Sequence, residues 1–197
     1  MATKSFRTID LVLVPMFAAL MGIGANVTSF LVIGGVPITL QTLFSILAGA
    51  LLGSRLGAFA MSLYLLVGLV GFPVFAQFKG GLSTFVSPTF GFLISFILVA
   101  YVTGKIIEKS ESKYFFTFVI ACFIGLIINY VVGTNYMYFA YITIAEAPEG
   151  FTYSMAWAWM IAPFIKDVIV TIAAAVVAHR IYGTVRKHRP NHLQQAS

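Results

Sequence analysis

Apolar runs recur along this chain from end to end, each bounded by glycine, proline or a basic residue. They leave no stretch polar enough to clothe a soluble domain. Hydrophobic residues make up 60% of the 197 positions and charged residues only 9%, against roughly 25% charged in soluble domains. Mean hydropathy is +0.97. The runs are therefore read as membrane spans, at 9–27, 39–52, 56–70, 88–107, 114–138 and 157–182. The second and third are shorter than the ~20 residues that cross a hydrocarbon core. They must be tilted, bent or completed by irregular backbone that protein shields from lipid. The expected fold is an all-α integral membrane protein, one membrane domain over residues 1–197 with six transmembrane helices.

Basic residues orient these spans. Lys4, Arg7, Arg55, Lys105, Lys109, Lys113, Arg180, Arg186, Lys187 and Arg189 all fall on one side of a six-span arrangement. By the positive-inside rule that side is cytoplasmic, with both termini inside. Lys79, Glu146 and Glu149 fall on the other. The net charge of +6 is thus topology and offers no argument for nucleic acid. A multi-pass protein of a bacterial plasma membrane is expected. Lys4 and Arg7 before an apolar run imitate a signal peptide, but Asp10 interrupts the run's start and no clean A-x-A cleavage site follows it. The first run is read as a retained helix.

Catalytic signatures are missing from the sequence. There is no G-x-x-x-x-G-K-[ST], since Gly104-Lys105 is followed by Ile106, and hence no ATP hydrolysis by this chain alone. No H-E-x-x-H or G-x-S-x-G occurs. The lone Cys122 excludes a disulfide framework, and His179, His188 and His192 have no acidic neighbour at ligand spacing, so neither metal nor cofactor is expected.

Two features point to ligand binding. Lys166 and Asp167 sit inside the last apolar run, where each charge costs several kcal/mol, about 2.5–3.5 by insertion scales. Lys166 either reaches the interface with Asp167 compensating it, or the pair marks a polar ligand site. Asn129, mid-run in span five, lies at comparable depth and needs a partner, ligand or helix. The second feature is a pair of apolar, Gly- and Pro-dense connections, SFLVIGGVPITLQ (29–41) and GLVGFPVFAQFKGGLSTFVSPTFG (68–91). Ordinary exposed loops are polar; these are expected to fold back, as a plug or as the cap of a pocket walled by Phe72, Phe75, Phe78, Phe85 and Phe90. Gly34, Gly35, Gly80 and Gly81 permit close backbone approach there.

At these residues the chain resembles a known family. GGVPITLQTLFSILAGALLGSRLGA, YLLVGLVGFPVFAQFKGG and SPTFGFL are similar to the BioY family, the biotin-specific S components of energy-coupling-factor (ECF) transporters. The resemblance runs from Phe17-Ala18-Ala19-Leu20 through span six. It implies an S-component-like six-helix bundle that binds biotin near its outer face and docks on a shared ECF transmembrane subunit with two ATPase subunits. Biotin is then the transported ligand, no cofactor is needed, and the chain is not an enzyme. The family reads G-P-T-G-G where this chain has Ser87-Pro88-Thr89-Phe90-Gly91. It also places a lysine three residues after an acid in span six; Asp167 matches the acid, but position 170 is Val170 and the lysine stands at Lys166.

Biotin presents ureido N–H donors and a carbonyl, an apolar thiophane ring and a carboxylate tail. Asp167 is the expected acceptor of ureido N–H bonds, with Asn129 facing the same pocket. Gln41, Thr42 and Ser87 would meet the other polar end, Lys79 or Lys166 would neutralise the carboxylate, and Phe75 and Tyr136 would wall or stack on the rings. Tyr138 and Tyr141 are interfacial or stacking candidates. In span one, Ala18 and Gly22 form a small-x-x-x-small pair with Ala19 beside them; the resemblance makes this the docking face, and internal packing is the other reading. An S component for another vitamin, or a stand-alone facilitator or lipid-acting enzyme, remains open at this point.

Overall fold

Helix α1 (Thr8–Asn26) leads through a two-stranded antiparallel hairpin, β1 (Val32–Ile33) and β2 (Val36–Pro37), into α2 (Gln41–Leu52). Gly53 then turns the chain into α3 (Ser54–Leu69), and an irregular connection with two short 3-10 turns leads to α4 (Phe90–Lys109). Helix α5 (Phe115–Thr143), the short α6 (Tyr153–Trp159) and α7 (Ile161–Lys187) complete the order. This computed structural model describes residues 8–33, 35–111 and 113–187. Lys4, Arg7, Gly34, His188, Arg189 and His192 lie outside the described residues.

Four of the described helices, α1, α4, α5 and residues 161–184 of α7, are long and apolar enough to cross a membrane; α2 and α3 are shorter apolar helices. Their outward faces stay apolar, with Val12, Ile23, Ile127 and Ile169 more than half exposed. An apolar exterior of this extent suits lipid, not water.

Helix α2 has apolar and small polar residues on every side, and a helix of that kind belongs inside. It packs against α1, α3, α4, α5 and α7, with Ile46, Ala48 and Ala50 buried at its centre. Its end is set by Gly53, whose φ of 88° is one that a side chain would resist. A Cβ there would also lie 2.4 Å from Glu108 Oε1. Glu108, from α4, accepts the Ser54 N–H at 2.8 Å and the Ser54 hydroxyl at 2.7 Å. The first turn of α3 is thereby capped by a carboxylate from another helix.

The boundaries of the last helices differ from those expected. The chain does not run as one helix from 157 to 182: α6 stops at Trp159 and α7 opens at Ile161. Pro163 is the cause, because it has no N–H to offer Trp159 and sits comfortably only in a helix's first turn. Helix α5 runs on to Thr143 instead of ending near residue 138. There Tyr138 and Tyr141 pack on Phe151, and Tyr141 on Trp159.

Two ends of the bundle emerge. One holds the α2–α3 corner and the α4–α5 connection. The other gathers the hairpin, residues 70–89 and α6, and there the N-terminal ends of α2, α4 and α7 converge.

Candidate functional site

Between those converging ends lies a chamber of about 780 Å³, within the roughly 300–1,000 Å³ of small-molecule sites. Its deep wall is polar. Asp167, 4% exposed on α7, has Oδ1 2.6 Å from Lys166 Nζ. Its Oδ2 accepts the Tyr130 hydroxyl at 2.8 Å and the Thr42 hydroxyl at 3.3 Å. Thr42 Oγ1 in turn accepts from Asn129 Nδ2 at 3.4 Å, and Asn129 Oδ1 accepts from the Ser95 hydroxyl at 2.7 Å. Donors from α2, α4 and α5 thus point in sequence toward one carboxylate. Lys166 also donates to the Thr39 carbonyl, which ties α7 to the approach of α2. A carboxylate buried in a bilayer protein is tolerable only with such company.

A second polar element starts at Gln41. Its Nε2 donates to the Tyr64 hydroxyl at 3.0 Å, and Tyr64 donates to the Val74 carbonyl at 3.1 Å. Gln41 itself lines the chamber. Phe75 closes the side above, its ring edge-on to Tyr64 with centroids 5.5 Å apart. The ring rests where Gly68 has no side chain: a Cβ at that position would come within 2.1 Å of it. Phe92, Phe96 and Met160 complete the apolar lining, and Ser83, Thr84, Ser87 and Thr89 add hydroxyls.

The chamber brings together Asp167, Lys166, Asn129, Gln41, Thr42, Phe75, Lys79 and Ser87. Lys79 is exposed at the rim. Tyr136 is placed elsewhere: its ring packs on Phe90 and its hydroxyl donates to the Phe85 carbonyl at 2.9 Å, so it braces the α3–α4 connection. Among the expected phenylalanine walls, Phe75 and Phe78 line the chamber, whereas Phe72 is 59% exposed and Phe85 packs on Phe90. The first connection folds back over the chamber with residues 35–39, whereas Phe30 and Leu31 before them point outward, 74% and 52% exposed. In α1, Ala18 packs on the core and a Cβ on Gly22 would meet Val74 at 3.5 Å, so both face inward. Ala19 is exposed.

Sequence reasoning missed Tyr130, Phe92 and Phe96. Tyr130 had a signal: it follows Asn129, and a tyrosine at that depth needs a hydroxyl partner. No ordinary signal marks the two phenylalanines, because a ring facing a ligand and a ring facing lipid are chemically alike.

A model of the family described as the BioY family matches residues 1–187. The chain is 40% identical to the putative biotin transporter BioYB of Bacillus subtilis, across 95% of this chain and 94% of that one. It is 38% identical to the biotin transporter BioY of Thermotoga maritima, across 84% of this chain and 91% of the relative. A crystal structure described as the S-component for biotin from an ECF-type ABC transporter superposes with a TM-score of 0.77. That match covers 92% of this chain and 94% of that one at 23% identity, and at that identity it speaks for the fold alone.

Proposed function

This chain belongs to the BioY family, and on that footing we propose that it binds biotin in the chamber and serves biotin uptake with an ECF energising module. The family is one of transporters, so the chain is a transport component and not an enzyme. The module would consist of a shared transmembrane subunit and two ATPases, which agrees with a sequence that has no phosphate-binding loop of its own. In this reading the chain sits in a bacterial plasma membrane with six spans and both termini cytoplasmic. The chamber then opens toward the outer face.

The observation that carries the proposal is the buried Asp167 carboxylate on the wall of a mixed polar and apolar chamber. A carboxylate offers about four acceptor sites, and Lys166, Tyr130 and Thr42 take three. One remains for a ureido N–H. Gln41 Oε1 is a second acceptor, and the Asn129 amide, with one N–H directed to Thr42, has another for the ureido carbonyl. Phe75, Phe92 and Phe96 suit the thiophane ring, and Lys79 at the rim suits the carboxylate of an extended tail. A ring held deep with its tail toward the mouth satisfies each group in turn.

Isothermal calorimetry on detergent-purified protein is the direct test, with sub-micromolar biotin binding expected. Mass spectrometry of protein purified from biotin-containing medium should find biotin bound. Absence of both removes the proposal, and a different vitamin in the spectrum would reassign the specificity.

A further inference from the structure

The connection between α3 and α4 holds an unusual conformation at the chamber mouth. Gln77 and Phe78 are consecutive non-glycine residues with φ of 62° and 55°, a left-handed region that ordinary side chains avoid and that persists only where surroundings impose it. Within the connection, Phe75 N–H donates to the Lys79 carbonyl at 3.0 Å, which closes the tip of the turn. The two strained residues themselves are held from outside it. Phe78 N–H donates to Asn26 Oδ1 at 2.7 Å, and Gln77 N–H donates to the Ser29 hydroxyl at 3.1 Å. Asn26 Nδ2 donates back to the Val74 carbonyl at 3.4 Å and to its own helix at the Gly22 carbonyl, 3.0 Å. One amide thus grips the turn at its base and its tip while fixed to the last turn of α1.

The same short stretch of α1 holds the chamber's other cover. The Gly24 carbonyl accepts from Leu40 N–H at 2.8 Å, and the Thr28 hydroxyl donates to the Ile38 carbonyl at 2.8 Å. Gln77, Phe78 and Lys79 on one side and residues 35–39 on the other all line the chamber. Both covers are therefore hung from residues 24–29, and neither is held in place by chamber-lining side chains alone.

We infer that Asn26 is a positioning residue for ligand retention: its amide latches the Gln77–Phe78 turn over the chamber mouth and sets how fast bound ligand leaves. Without it Phe78 N–H loses its acceptor and the Val74 carbonyl one of its donors, only the Ser29 bond to Gln77 is left to offset the strain, and the turn relaxes away from the mouth. The inference rests on the proposed function for the ligand's identity, but not for the latch itself.

Two measurements on the full chain in detergent separate these. The first is hydrogen–deuterium exchange without ligand: Asn26→Ala should speed exchange across residues 75–80 and leave α2 and α4 as protected as before. The second is biotin release from preloaded protein. Asn26→Ala should accelerate it on the order of tenfold, the effect of losing one or two hydrogen bonds, with association changed much less. Asn26→Asp keeps the acceptor for Phe78 N–H and should release more slowly than Asn26→Ala. Unchanged exchange at 75–80, unchanged release, or identical release from the Ala and Asp variants overturns the latch. A wild-type protein that does not bind biotin removes the proposed function, and the exchange result then decides the latch alone.

Discussion

Asp167 is the residue on which most of the chamber's polar geometry converges, and its replacement is the sharpest single test. Asp167→Asn keeps the shape but exchanges one acceptor oxygen for a donor, which would face either Lys166 or the hydroxyls of Tyr130 and Thr42. Loss of a charge-assisted contact should lower biotin affinity on the order of 10–100-fold by calorimetry. Unchanged affinity would make the carboxylate a packing device. Tyr130→Phe removes one support of the same carboxylate, and affinity should fall about tenfold or less. Tyr136→Phe should leave affinity unchanged, since its hydroxyl bonds to Phe85 away from the chamber. Asp167 and Asn129 were legible in the sequence because polarity at membrane depth is costly and therefore conspicuous, and Gln41 and Thr42 through the resemblance that their segment carries. The choice between Tyr130 and Tyr136 was not. Apart from Asn129 and a few hydroxyls helix α5 is apolar all round, exposed Ile127 and core-facing Leu126 alike, so its hydrophobic pattern leaves little amphipathic trace.

Helix boundaries were legible where backbone chemistry marks them and obscure where tertiary contacts decide. Gly53, which lies between the second and third apolar runs, marks the α2–α3 corner, and the missing N–H of Pro163 marks the α6–α7 break. Glu108 as the cap of α3 could not be read, because 54 residues separate it from Ser54 and no local pattern connects them. Glu108→Ala should strip both bonds from Ser54 and leave its N–H unsatisfied at a buried helix start. A loss of about 2 kcal/mol is expected, seen as a lowered Tm in detergent. The corner lies at the opposite end from the chamber, so biotin affinity measured well below the transition should not change. An equal Tm would show that water satisfies the Ser54 amide as well as Glu108 does. The exposed Phe30 and Leu31 teach the complementary lesson. Apolar connections fold inward in water, but beside a bilayer they have lipid to face, and the rule that apolar loops must be buried loses its force.

At the scale of the whole molecule, a cluster of basic residues and the chamber lie at opposite ends. Arg55, Lys105, Lys109 and Arg180 fall at the end with the α2–α3 corner, and the chamber occupies the other. In the proposed orientation a Glu149→Cys variant, in a Cys122→Ser background, should react with a membrane-impermeant maleimide on intact cells. Lys109→Cys should react only after lysis, and the reverse pattern would invert the topology. The same frame says where a partner subunit can approach. Ala18 and Gly22 are turned into the bundle, so bulky substitution at either would disturb packing as well as any docking face and would not separate the two. Ala19 is on the free face of α1, in line with Met16 and Ile23 at helical spacing. Ala19→Trp adds bulk there without touching the core or the chamber. It should leave biotin binding intact while co-purification with the ATPase module is lost, because close helix approach needs small residues at the contact. Because α1 also carries Asn26 at its end, a partner seated on this face would bear on the helix from which both chamber covers hang. Retained assembly in Ala19→Trp would move the docking surface off this face of α1 and sever that connection.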